Sequence, residues 1–172
     1  MSLVRSFPPI ADAKARVLIL GSMPGLASLA AGQYYAHAQN LFWQILGEVT
    51  GAAASLPYAT RVRALKSSGI ALWDVLAACV REGSLDSAID AASISVNDFG
   101  AFYRAHPGIV QVFFNGAKAE ASYRRHVLPA LADAIAPAKL VRLPSTSPAN
   151  APMSRAHKQK VWKRTLRLSL SA

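Results

Sequence analysis

The sequence predicts an α/β fold: one three-layer domain over residues 1–172, with a short, mostly parallel central sheet of about four strands flanked by helices. Three observations lead there. Four short apolar runs, at 16–20, 70–75, 110–115 and 140–143, lack strict alternation, as strands buried on both faces do. Helical patterns lie between them, which implies βαβ units with right-handed crossovers. Each run also ends in Gly, Asp, Asn, Ser or Pro, residues that make turns and carry polar chemistry.

The first run, 16–20, stops at Gly21-Ser22-Met23-Pro24-Gly25. Glycines here can take positive φ and let a ligand approach the backbone, although a plain strand-to-helix turn would use them equally well. No Gly-Lys-Ser/Thr follows, so this is not a phosphate P-loop. A dense run, Gln33-Tyr34-Tyr35-Ala36-His37-Ala38-Gln39-Asn40, comes next. Aromatic rings beside an amide suit a flat, hydrogen-bonding ligand such as a nucleobase. Phe42 and Trp43 read as core, and Asn40 also stands where an N-cap would. Tyr35 and Asn40 are the functional candidates.

A helix is expected at 40–49, with Phe42, Ile45, Leu46 and Val49 on one face, and another at 60–68 with Thr60 as N-cap. The strand at 70–75 delivers Asp74, which could hold a loop or polarise water. The stretch 78–96 reads as a polar, irregular loop with a short helix. A third helix, 98–106, is closed by Pro107-Gly108, with His106 structural. The strand at 110–115 ends on Asn115, whose amide needs partners: the edge of a base, or a turn before Gly116. A longer helix, 117–135, should bend or split at Pro129. After the last strand comes Pro144-Ser145-Thr146-Ser147-Pro148-Ala149-Asn150, a stiff hydroxyl-rich loop able to bond phosphate oxygens. The final helix, 154–168, starts at Ser154 and carries Lys160, Lys163, Arg164 and Arg167 on one basic face. In a parallel sheet the strand ends meet at one edge, which predicts a pocket there.

Lys and Arg number 19 against 9 Asp and Glu, a net charge of +10. That suits a polyanionic partner, nucleic acid before an anionic membrane. The apolar runs are too short to span a bilayer, and residues 1–10 lack a secretion signal, so a cytoplasmic protein without a membrane partner is expected. The single cysteine, Cys79, excludes an intramolecular disulfide and any thiolate-ligated metal cluster. No metal, cofactor or obligate protein partner is expected.

GSMPG at 21–25, YYAHAQNLFW at 34–43, GIALWDV at 69–75, FFNG at 113–116 and LPSTSPANA at 143–151, taken together, resemble the uracil-DNA glycosylase superfamily. Within it they are most similar to the hypoxanthine-DNA glycosylase, or DNA-deoxyinosine glycosylase, branch. Met23 stands where mismatch-specific uracil glycosylases carry a water-orienting Asn, and Leu143 where classical uracil glycosylases carry a His. The resemblance assigns catalysis to Asn40 instead. It places Gly21, Ser22, Met23, Tyr35 and Asn115 at the base, and Ser145, Thr146, Ser147, Asn150 and Lys158 on DNA. The loop at 145–151 would pinch the backbone, with a wedge residue somewhere in 150–153.

The implied activity is hydrolysis of the N-glycosidic bond of a flipped deaminated base, hypoxanthine first, leaving an abasic site. No lysine is implied as a Schiff-base nucleophile, so the enzyme would be monofunctional. The alternatives are uracil release on the same fold, a non-catalytic nucleic-acid-binding module, and a serine hydrolase built on Ser22 and His37.

Overall fold

The computed structural model describes residues 2–132, 135–137, 139–150 and 152–172. Its first strand, β1 (Ser2–Arg5), stands apart from the main sheet. The second, β2 (Val17–Gly21), is the centre of the molecule, buried along its whole length. Val17 and Ile19 face one core and Leu18 and Leu20 the other, which is why the strand reads as a continuous apolar run.

Three helices follow: α1 (Leu26–Ala31), α2 (Phe42–Thr50) and α3 (Tyr58–Ser67). The chain then adds β3 (Ile70–Asp74), β4 (Leu76–Arg81), β5 (Ser95–Val96) and α4 (Phe99–Ala105). It finishes with β6 (Gln111–Asn115), α5 (Ala117–Ser122), β7 (Lys139–Leu143) and α6 (Arg155–Leu170). The main sheet is four-stranded, in the order β3-β2-β6-β7. Its three pairings are parallel. After β2 the chain builds β3 on one side, then returns to place β6 on the other. That reversal opens a crevice beyond the carboxyl ends of β2 and β6, at Gly21 and Asn115.

Helices cover both faces. Phe42, Ile45 and Leu46 of α2, Leu65 of α3, and Trp162 and Leu166 of α6 pack with Val17, Ile19 and Phe113. Phe99, Phe102 and Tyr103 of α4 and Ala119 of α5 pack with Leu18, Leu20 and Phe114. Three layers result, as the sequence predicts.

Several details differ from the expectation. The stretch at 78–96 is not mainly loop. Its first residues extend β4, which pairs antiparallel with β1 on one side and β5 on the other. Two short 3₁₀ turns, Asp86–Ala88 and Ala91–Ser93, lie between β4 and β5. β4 hid because β1, its partner, is a short N-terminal segment with no apolar run of its own. The short α1 also escaped the sequence reading. Thr60 is not an N-cap: α3 begins at Tyr58 behind Pro57. The helix expected at 117–135 is α-helical only to Ser122, then turns as a π segment over Tyr123–Val127 and a 3₁₀ turn over Leu128–Ala130. It departs from regular geometry before Pro129, and its last expected residues include 133 and 134, outside the described residues. β7 is an edge strand and is buried only in part.

Candidate active site

The crevice is a cavity of about 800 Å³. Its wall draws on Gly21–Ser28, Asp74, Asn115 and Gly116, and the loop from Pro144 to Asn150. All four strand ends of the parallel sheet therefore meet there, as the turn chemistry predicts.

The Gly21–Gly25 turn is held from below. Val75 N–H donates to Gly21 O at 2.8 Å and Leu76 N–H to Ser22 O at 3.1 Å. Arg81 Nη2 donates to Pro24 O. Neither Gly21 nor Gly25 has positive φ, contrary to the expectation from sequence. Gly21 is needed for space. A Cβ there would collide with the Asp74 carboxyl and come within 2.8 Å of the Tyr35 hydroxyl. Met23 lines the cavity while belonging to the core beneath it.

The aromatic run is anchored by its first tyrosine. Tyr34 OH donates to Pro8 O at 2.9 Å, and Trp43 Nε1 donates to Tyr34 O at 2.7 Å. Tyr35 is the only non-glycine residue with positive φ among the described residues, at 53°. A left-handed non-glycine residue costs on the order of 1–3 kcal/mol, and it persists where surroundings over-determine it. Here the Tyr35 ring stacks on Phe42 at 4.0 Å between centroids, 21° from parallel. Phe42 and Trp43 are core, as read from sequence.

Asn40 is half-buried in the cavity wall. Its Oδ1 accepts the Phe42 N–H at 2.9 Å, so it does tie down the start of α2. That bond also fixes the amide. Oδ1 retains a second lone pair, and Nδ2 makes no hydrogen bond among the described residues.

The Pro144–Asn150 loop is clasped from several elements. Asn115 Nδ2 donates to Thr146 Oγ1 at 2.9 Å, and Thr146 N–H returns a bond to Asn115 Oδ1 at 2.9 Å. Lys158 Nζ donates to Ser147 O at 3.1 Å, and Trp162 Nε1 to Pro144 O at 2.7 Å. Leu41 N–H donates to Thr146 O at 3.1 Å, which ties this loop to Asn40's neighbour.

These contacts revise two assignments and add a structural role to a third. Thr146 and Lys158 are 1% and 3% exposed, so they brace the loop from within and do not face a DNA backbone. Asn115 bonds Thr146 through both ends of its amide, which makes it a clasp for the loop, while Nδ2 keeps a second N–H and Oδ1 a second lone pair in a residue that lines the cavity. Ser145 and Ser147 accept backbone N–H bonds, from Ser147 and Ala149, and keep their hydroxyl protons free to donate. Asn150 and Met153 line the cavity mouth, while residue 151, part of the expected pinch and wedge, lies outside the described residues.

Sequence reasoning missed the cluster under the floor. Ser22 Oγ donates to Asp86 Oδ1 at 2.7 Å. Asp74, Asp86 and Arg81 sit together, with Asp74 and Arg81 almost fully buried. Burial, with Asp86 adding to it and Arg81 opposing, pushes the Asp74 carboxyl up to about 7. Burial raises Asp86 too, while the Ser22 hydroxyl and Arg81 pull it back. The Tyr35 phenol is driven well above its ordinary value, first by burial and then by Asp74, with the neighbouring Asn115 amide opposing them. The signal available was Arg81 and Asp86 flanking a Gly83-Ser84 turn, opposite charges in a stretch read as loop.

The serine-hydrolase alternative has no nucleophile–base pair. Ser22 donates to Asp86, and His37 Nδ1 accepts the Gln39 N–H at 3.2 Å. No group of three His, Cys, Asp or Glu residues is arranged to hold a metal among the described residues. On α6, Lys160, Arg164 and Arg167 are exposed, while Lys163 pairs with Glu48 at 2.6 Å.

Comparison with known proteins bears on this geometry. A hypoxanthine DNA glycosylase from Methanosarcina barkeri is 42% identical over 115 residues, covering 66% of this chain and 72% of the relative. One from Methanosarcina acetivorans is 38% identical over 116 residues, covering 67% and 72%. A solution NMR structure of a candidate uracil DNA glycosylase from M. acetivorans superposes with a TM-score of 0.81 at 32% identity, spanning 99% of this chain and 100% of that one. The family model of the uracil DNA glycosylase superfamily matches residues 8–166, and the chain belongs to that superfamily.

Proposed function

We propose that this protein is a monofunctional DNA glycosylase that hydrolyses the N-glycosidic bond of hypoxanthine in DNA. The observation that carries the reading is the fixed Asn40 amide in a cavity closed by the braced Pro144–Asn150 loop. The relatives described as hypoxanthine DNA glycosylases support the choice of base.

The steps follow from the residues. A surface of net charge +10 attracts the phosphate backbone. The nucleotide swings into the cavity, at an unstacking cost of a few kcal/mol. Tyr35, its ring seated on the buried Phe42, lines the cavity that receives the base. A water on the free lone pair of Asn40 Oδ1 attacks C1′ of a sugar with oxocarbenium character, and the base departs. An amide is too weak a base to take the water's proton early. Its contribution is therefore orientation.

The test is incubation with duplexes carrying deoxyinosine, deoxyuridine or deoxyxanthosine, followed by chromatography of the free base. Free hypoxanthine is expected, with the strand intact until alkali and heat are applied. Release of uracil alone would move the substrate, a nick without alkali would overturn monofunctional chemistry, and DNA binding without release would leave a binding module.

A further inference from the structure

Two polar groups at the cavity floor have no partner among the described residues: the Tyr35 hydroxyl and Asp74 Oδ2. Both are buried, and the Tyr35 hydroxyl and the other oxygen of the same carboxyl, Asp74 Oδ1, lie against Gly21, where the floor has no side chain. A buried hydroxyl or carboxyl left unpaired loses its hydration and gains no bond in return. A fold that leaves two such groups side by side in its cavity is matched to a ligand with two adjacent polar atoms.

Hypoxanthine has that edge. Like guanine it presents O6 and N7 as neighbouring acceptors. A carboxylate would be repelled by both, whereas a carboxylic acid and a phenol each donate a hydrogen bond. Adenine offers N7 beside an amino donor, and a pyrimidine offers only one acceptor on this edge. Each would leave one floor donor unpaired.

We propose that Asp74 is a catalytic residue, donating a proton to N7 of the flipped hypoxanthine while the Tyr35 hydroxyl bonds O6. This rests on the reading that the chain is a glycosylase acting on a deaminated purine. As the C1′–N9 bond breaks, its electron pair stays on N9 and the Asp74 proton passes to N7. The water oxygen bonds to C1′ and releases its surplus proton to solvent, from which Asp74 is reprotonated. The base leaves neutral. Asn40 orients the water and cannot supply this proton.

The surroundings push the Asp74 carboxyl up to about 7, so a large share of it keeps its proton up to neutral pH. Asp86 faces it from the 3₁₀ turn, Arg81 from β4, and the Tyr34 and Tyr35 phenols from the loop after α1. Arg81 alone favours the carboxylate, and burial outweighs it.

Two measurements on the full chain test this. In single-turnover release from a deoxyinosine duplex, between about pH 5 and 9, the wild-type rate should fall about tenfold per unit above neutrality. Asp74→Asn, nearly isosteric and unable to give up a proton, should be about 10²-fold slower and flat with pH. Separately, binding of free hypoxanthine should weaken about tenfold in Asp74→Ala and in Tyr35→Phe, and about tenfold for 7-deazahypoxanthine on wild type. Wild-type rate and pH profile in Asp74→Asn, or unchanged hypoxanthine affinity in Asp74→Ala, would overturn the inference while the glycosylase reading stands. Asp74-dependent hypoxanthine binding by a wild type that releases no base would do the reverse: the recognition survives and the activity falls.

Discussion

The two walls of the cavity treat their polar groups in opposite ways. On the loop side, the named buried polar groups are paired: Asn115 with Thr146, Lys158 with Ser147 O, Trp162 with Pro144 O. On the floor, Asp74 Oδ2 and the Tyr35 hydroxyl, and beneath it two nitrogens of Arg81, have no partner among the described residues. Buried polar atoms are normally satisfied, so the floor is the departure. The contrast separates two jobs. Satisfied bonds hold the Pro144–Asn150 loop rigid, so that a DNA backbone meets a fixed shape. The unsatisfied Tyr35 and Asp74 groups are carried at a cost in stability, and on the proposed reading they are what the base meets.

Substitutions can sharpen this comparison, and the largest effect is expected at the floor. Gly21→Ala puts a methyl group into the Asp74 carboxyl and the Tyr35 hydroxyl. Base release should become undetectable, and overpacking should lower stability by about 1–3 kcal/mol in a denaturant melt. Wild-type release rates in this variant would show that the floor is not where the base sits.

Lys158→Met comes next. It keeps the buried stem and removes the bond to Ser147 O, at a cost of about 1–3 kcal/mol. Hydrogen exchange at 144–150 should accelerate. Unchanged exchange would mean the loop does not depend on its brace.

Asp74→Asn should act the other way on stability. The folded carboxyl titrates near 7, above the ordinary value of about 3.9. Below about pH 4 both folded and unfolded chains hold the proton, and the stability is fully present. As pH rises the unfolded chain releases its proton first, and the stability is lost progressively until the folded group titrates. Asp74→Asn should therefore raise Tm at pH 8 and change it little at about pH 4. A gain in stability joined to a loss of activity would mark the residue as retained for function.

The smallest stability change is expected on the outer face of α6. Replacing Lys160 and Arg164 with glutamine should alter stability by no more than about 0.5 kcal/mol. If the face tracks phosphates, each should also lower the salt dependence of DNA binding by about one counterion. An unchanged salt slope would make it a solvated face only.

What was legible in the sequence follows the same division. The four parallel strands and the polar residues at their ends could be read because apolar runs and turn residues are local signals. GSMPG, Asn40 and the Pro/Ser loop fall where those signals put them. The missed features depend on distant segments. Asn115 and Thr146 are 31 residues apart, and their pairing, which holds the loop to the end of β6, has no local signal. Lys158 reads as surface because lysines usually are, yet a carbonyl on a loop folded over α6 makes it a buried brace. Arg81 and Asp86 come beneath the floor through bonds to Pro24 and Ser22, which lie 57 and 64 residues away in the chain. Asp74 was visible, but its burial and its lack of a partner were not.

The measurement closest to the central claim compares wild type with Asn40→Ala on a deoxyinosine duplex, following both free hypoxanthine and DNA affinity. The account predicts release by wild type, a loss of about 10²-fold or more in the variant, and affinity within about a factor of three. Equal release by both proteins would contradict it, because the fixed amide in the cavity wall would then have no part in the chemistry.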